Sequence, residues 1–451
     1  MKEQDGRSDF IRTDKFVLDF RLLPLLKKEL VINEVELDSP YIIVKRLKNG
    51  LYNYSDIKEK LKAGKPAPEK APQKNVRAFA VNIEKIIVKN AKAEFVDETG
   101  KLPNATGIAD ADLKITAPPG LANIQAPVSG EIDLKSLRAE LKNKNKSTSA
   151  NISGRINLGN RIKLSLLAQI GRDTIKINGS AANYMKAPVI VMNVSSERLD
   201  LERLMLLVPS GGEKAPAKKR APPAKEKARP VSASGSISVK SALYKGFVLN
   251  GFLLDYKYRD GILTANPVKT AVTGGNKVLV DGSILGSVSL YTADPKRTLN
   301  GQGGADFRKI AVRQSPITRQ VAIILGMPEL ATPTFTGSKL NYLMKNGDVL
   351  LNGYMDSPQL EFNPVKATVG VAAKTIAATA DLKLSPMLAG RITKSRYLHF
   401  LTDNRGWTVV PLKITGTAGK PKVGIDTARL GKAAGKELKK RIERQLQKLF
   451  K

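Results

Sequence analysis

The chain has 451 residues, with 75 Lys and Arg against 41 Asp and Glu, a net charge of +34, no Cys and one His, His399. These counts exclude disulfide frameworks, thiolate zinc sites, cysteine nucleophiles, iron–sulfur clusters and any metal site built on two imidazoles. Twelve Phe, eleven Tyr and one Trp are few for a protein that stacks bases on rings, so no nucleic acid is expected as a partner.

At the start, Met1 to Phe20 is charged from its second residue and lacks an apolar core, so it does not read as a signal peptide. No apolar run reaches the roughly 18 residues of a membrane span anywhere in the chain. Leu22 to Leu30 has the pattern of a short helix. Residues 1–61 then give way to a linker, 62–75, rich in Ala, Pro and Lys. Proline removes backbone donors and lysines repel, so this segment is expected to be extended and solvated.

Residues 76–210 follow a period of two. Ile152, Gly154, Ile156 and Leu158 alternate with Asn151, Ser153, Arg155 and Asn157. After the turn signal Gly159-Asn160, Ile162, Leu164, Leu166, Ala168 and Ile170 oppose Arg161, Lys163, Ser165 and Gln169. Gly171-Arg172-Asp173 turns again, and Ile175 and Ile177 follow on the apolar side. This is the pattern of an antiparallel meander with one apolar and one polar face. Leu199 to Leu207 reads as a second short helix.

A second Ala/Pro/Lys linker, 211–230, carries seven Lys and Arg against two Glu. The meander pattern returns in residues 231–430, with Val278 and Val280 on its apolar side and Asn346-Gly347 as a hairpin signal. Ile317 to Leu325 is a third helical candidate. In residues 431–451, Leu438, Ile442, Leu446, Leu449 and Phe450 fall within about 120° of arc on a helical wheel. Lys440, Arg441, Arg444, Lys448 and Lys451 occupy the other side, a layout suited to an anionic membrane surface and equally to a solvated cap on the sheet.

A meander with one apolar face must cover it by packing a second sheet, closing into a barrel, or curling into an open trough. The fold class expected is mainly β: an elongated antiparallel sheet curled into an open aliphatic groove, with a few short helices and a C-terminal amphipathic helix. Its lining would be Ile152, Ile156, Leu158, Ile162, Leu164, Leu166, Ile170, Ile175, Ile177, Val278 and Val280. A smooth aliphatic lining suits acyl chains, which need burial and few hydrogen bonds.

Reactive chemistry is hard to find. There is no phosphate-binding loop, and Gly301-Gln302-Gly303-Gly304 lacks the dinucleotide fingerprint. Asp110-Ala111-Asp112 lacks the Gly and Glu of a calcium loop. Asp381 and Asp403 stand as isolated carboxylates, His399 reads as structural, and Trp407 reads as a packing residue beside a turn. No enzymatic activity, cofactor or metal is expected.

Three stretches carry a family resemblance. Asp19 to Ile57 has a Leu-Leu-Pro-Leu-Leu segment, strand residues Val31 to Leu37, a second strand at Pro40 to Val44, and the Tyr52-Asn53 pair. Asn266-Pro267-Val268 is followed by Gly274-Gly275. Asp381 to Asp426 contains Leu384-Ser385-Pro386, then Val410 to Thr417, then Gly419 to Val423. This ordered pattern resembles AsmA family proteins, of the bacterial envelope superfamily that includes the TamB-like proteins. The resemblance implies a periplasmic body associated with the inner membrane, and phospholipid transport or outer-membrane assembly along a β-groove. The transmembrane helix and early strands of that pattern are not found in these residues. A scaffolding β-protein that binds envelope partners or anionic glycolipid is the alternative.

Overall fold

The computed structural model describes residues 11–27, 29–55, 80–100, 102, 104–115, 128–143, 146–184, 187–207, 231–392, 402–417 and 419–431. Both linkers, His399 and residues 432–451 therefore lie outside the described residues. The chain divides into two units, Met1–Ala233 and Ser234–Lys451. It is mainly β, an open sheet with a few short helices.

In the first unit, β1 (Ile11–Arg12) and β2 (Lys15–Arg21) follow one another along an edge. Inside them lie β3 (Glu29–Asp38) and β4 (Tyr41–Arg46). Both pair with one long strand, β5 (Ala80–Asp97), and both do so in parallel. The all-antiparallel expectation is corrected at this edge. From Arg46 the chain returns to begin β5 beside Glu29, so it cannot turn back as a hairpin. An antiparallel meander continues through β6 (Asn104–Ile115), β7 (Val128–Asn143), β8 (Lys146–Leu158), β9 (Arg161–Ile170), β10 (Asp173–Ala182) and β11 (Val189–Asp200). Helix α1 (Leu201–Leu207) follows.

The helix expected at Leu22 to Leu30 is instead a 3₁₀ turn, Leu23–Lys27, after which Glu29 enters β3. Pro24 lacks an amide donor. The residues after the turn find their partners in β2 and β5 rather than in a helix.

The second unit opens with β12 (Ser232–Tyr244). An antiparallel meander then runs through β13 (Phe247–Arg259), β14 (Ile262–Gly274), β15 (Val278–Tyr291) and β16 (Asn300–Val312). After an excursion, β17 (Thr334–Phe335) and β18 (Gly337–Lys345) both pair with β16. The order continues as β19 (Asp348–Asp356), β20 (Leu360–Gly370), β21 (Thr375–Leu384), β22 (Thr408–Thr417) and β23 (Lys420–Ile425). Asn266-Pro267-Val268 and Asn363-Pro364-Val365 repeat one tripeptide, and each lies at a shift of ladder register.

The excursion is helix α2 (Pro316–Leu325), close to the Ile317–Leu325 read from sequence. The Ser315 hydroxyl accepts from Ile317 N at 3.2 Å and Thr318 N at 3.4 Å, capping the free amides of the first turn. Gly326, at φ 70°, ends the helix in the left-handed conformation. The buried face carries Thr318, Val321, Ala322 and Leu325. These meet Ile310, Phe335, Phe362, Leu382, Val410 and Leu412 in a dry core, with the Phe335 and Phe362 rings 5.7 Å apart. Helix α3 (Pro386–Ala389) adds Leu388 and Ala389 to the same core.

Gln320 fixes α2 to the last strand. Its Nε2 donates to Pro421 O at 2.8 Å and its Oε1 accepts from Val423 N at 2.9 Å. One side-chain amide thus satisfies a donor and an acceptor on β23, where bare backbone would invite another strand.

We expect Leu325→Ala to cost about 2–5 kcal/mol by leaving a cavity in a fully buried position. Leu164→Ala, on a half-buried strand face, should cost less. Urea denaturation of the two variants measures the difference. Gln320→Ala should cost about 1–3 kcal/mol and promote self-association, read by light scattering.

Candidate functional site

The ladder registers place the aliphatic residues of the first unit in rows. One row runs Phe16, Leu37, Val88, Ala111, Ile132, Ile156, Leu164, Gly179 and Met192, each paired with the next across neighbouring strands. A second runs Leu134, Gly154, Leu166, Ile177 and Val194. A third runs Leu137, Ile152, Ala168, Ile175 and Ser196. Leu158 pairs with Gly130, and Ile162 with Ala181, on the same face. The nine first-unit positions read from the sequence therefore share one surface.

Burial divides them. Ile170 and Ile175 are buried, whereas Ile152, Ile156, Leu158, Ile162, Leu164, Leu166 and Ile177 are only half-buried. Two packed sheets would bury such residues throughout. Among the described residues, this face has no covering layer over its middle.

One end of the face is closed. The turn between β9 and β10 and helix α1 meet there, with Asp173 3% exposed between them. Asp173 Oδ2 accepts from Asp200 N at 3.0 Å and lies 3.5 Å from Arg203 Nη1. A buried carboxylate without these partners would be strongly destabilising, so the pair pins α1 in place. Ile170 and Ile175 belong to this closed end.

The second unit repeats the design. One row runs Val268, Gly286, Gly303, Tyr342, Leu351, Ala367, Ala378, Ile414 and Val423. Tyr342 lies flat over Gly286 and Gly303, where any Cβ would collide with its phenol. Burial pushes the Tyr342 hydroxyl above its ordinary pKa, so it stays a neutral phenol. Val278 and Val280 share this face, but they pack against the α2 core rather than lining an open stretch.

The opposite faces are mainly polar, although Leu285, Leu343 and Leu350 stand exposed on that of the second unit, and they are laced with exposed ion pairs, such as Lys135–Asp110 at 2.9 Å and Arg308–Asp281 at 2.8 Å. A shallow cleft of about 650 Å³ lies among Ser283, Leu285, Gln302, Gly304, Asp306 and Asn341, and one of about 600 Å³ among Lys89, Asp110, Asp112, Glu131 and Asp133. Both clefts open among polar side chains, and each also touches residues of the rows, Gly286 and Gly303 in the first and Val88, Ala111 and Leu158 in the second. Among the described residues no group of three or more His, Asp or Glu could hold a metal ion.

The two carboxylates that looked isolated have partners. Arg429 reaches Asp381 at 2.8 Å. The Arg405 guanidinium forms a two-pronged pair with Glu361, 2.9 Å on each prong, approaches Asp403 at 3.2 Å, and stacks 4.8 Å over the Trp407 ring. Burial alone would raise the Asp403 pKa. Donation from the Arg405 and Trp407 amides and the Arg405 charge outweigh burial and hold it below the usual value. The cluster fastens a turn to the sheet.

Sequence reading missed Phe16, Leu18 and Phe20, although their alternation in β2 was available. It also missed Tyr342, whose glycine neighbours come from two other strands. Lys440, Arg441, Arg444, Lys448 and Lys451 lie outside the described residues. Among the described residues no helix is long and apolar enough to cross a membrane. No known family, curated protein or solved structure matches the chain.

Because the Asp403 pKa is lowered on folding, its contribution to stability is present above the unfolded value near 3.8 and is lost as pH falls through the lower folded value. Asp403→Asn should therefore lower stability at neutral pH and flatten the acid limb of a Tm-against-pH profile.

Proposed function

We propose that this chain is an AsmA-like envelope protein. In this reading it binds phospholipid and passes it along apolar β-faces between the inner and outer membranes, supporting outer-membrane biogenesis. The carrying observation is the half-buried aliphatic face of the first unit, whose rows run through Ile156, Leu164 and Leu166 without a covering layer among the described residues. The ordered resemblance at Asp19–Ile57 and Asp381–Asp426 supports the same reading. The compartment it implies is the periplasm, in association with the inner membrane.

The mechanism is passive. Aliphatic side chains solvate acyl chains, and the charged headgroup stays in water at the open side. An acyl chain of about 16 methylenes at roughly 0.8 kcal/mol each gives an upper bound near 13 kcal/mol for complete burial. That sum is spread over many contacts, so no single residue dominates it. Gly154 and Gly179 keep the rows shallow where neighbouring Leu164 and Leu166 project. No proton transfer, nucleophile or metal enters the mechanism.

Lipid extraction and mass spectrometry of the purified protein should recover phospholipid in near-stoichiometric amount. A single Ile156→Ala should leave that amount almost unchanged. Ile156→Asp or Leu164→Asp should reduce it severalfold, because a carboxylate in the row must keep its water. Lipid-free protein, or unchanged lipid content in both Asp variants, would overturn this function in favour of a scaffold.

A further inference from the structure

The hairpin between β2 and β3 carries an apolar feature that the sheet does not absorb. Leu22, Leu23 and Leu26 are 68%, 79% and 85% exposed. The turn itself sets this pattern. Leu25 N donates to Leu22 O at 3.1 Å, turning Pro24 and Leu25 inward and leaving the other three leucines outward. Nothing in the fold of the hairpin requires leucine at those positions, and polar residues would serve a water-facing turn better.

The position of the turn supplies the reason. Arg21 pairs with Val31 and Glu29 with Ala80, so this turn lies at the end of the first unit's strands opposite α1 and the Asp173–Arg203 contact. The aliphatic face thus runs from a closed end to a rim tipped with leucine. Phe20, Leu18 and Phe16 continue apolar surface from the rim along β2, each more than two-fifths exposed. Arg21 and Lys27 flank the leucines, and Lys28 follows in the sequence.

We propose that the Leu22–Lys27 turn is a membrane seat: the three leucines insert into an anionic bilayer while the flanking basic residues meet lipid headgroups. A narrow apolar tip between cations suits the boundary between headgroups and acyl chains. It is a poor platform for a protein partner, because a stable interface needs about 800 Å² from each side, and the turn with β2 behind it presents only six large apolar side chains to water. The inference deepens the lipid-carrying reading, since the seat places the open end of the aliphatic face against a source of lipid.

The test uses the full chain and vesicles of equimolar phosphatidylglycerol and phosphatidylcholine. A Leu23→Trp variant should shift its added emission to the blue on mixing, and brominated acyl chains should quench it. The triple variant Leu22→Ser, Leu23→Ser, Leu26→Ser should float with vesicles at least roughly tenfold less than the parent, yet keep its co-purified phospholipid. That retained lipid separates this test from the test of lipid carriage. Emission from Leu23→Trp that brominated lipid does not quench overturns the proposal and leaves a protein partner as the occupant of the turn. A triple variant that floats like the parent overturns it too.

Discussion

A pleated strand sends alternate side chains to opposite faces, and here strand after strand commits one face to Ile, Leu, Val, Ala or Gly. The backbone ladders hold those residues in register, so the apolar positions of neighbouring strands add up to rows rather than scattered spots. Everything else in the structure responds to that surface. Water must be kept from its ends, the free edges of the sheet must be managed, and in the first unit its middle has no covering layer among the described residues.

The two units answer the first requirement differently. In the first, the buried carboxylate of Asp173 ties helix α1 across the end through Asp200 and Arg203. In the second, α2 and α3 complete a dry core with β20, β21 and β22. Stability is therefore unevenly distributed. The most deeply packed residues, Leu325, Leu382, Leu384, Leu412 and Val410, cluster at one end of the second unit. The rows beyond that end are sustained by backbone pairing and half-buried contacts. Such a division is what the proposed lipid-carrying role would need, since a dry, interlocked face could neither accept nor release an apolar cargo.

Local pattern made some of this legible. The alternation from Asn151 to Ile177 located β8, β9, β10 and their turns, and the apolar spacing of Ile317 to Leu325 located α2, whose ends the structure shows capped by Ser315 and Gly326. Where partners lie far apart in the chain, the pattern failed. Leu22 to Leu30 has apolar spacing compatible with a helix, but β5, more than forty residues away, recruits its last residues, Glu29 and Leu30, as the start of a strand. Arg405 joins Glu361 and Asp403 in a way that spacing alone does not disclose. The pairing of Tyr342 with two glycines is of the same kind.

The sequence by itself determined the two-faced character of the strands, the absence of thiol and paired-imidazole chemistry, and the excess of positive charge. These follow from composition and from the period of two, which any strand obeys. Only the tertiary structure decided which apolar residues became core and which became open surface. Ile175 and Ile177 occupy the same strand and the same face, yet one is buried at the end beside α1 and the other is half-buried. That difference arises from what the chain folds over each residue, a contact made across the fold and therefore absent from local spacing.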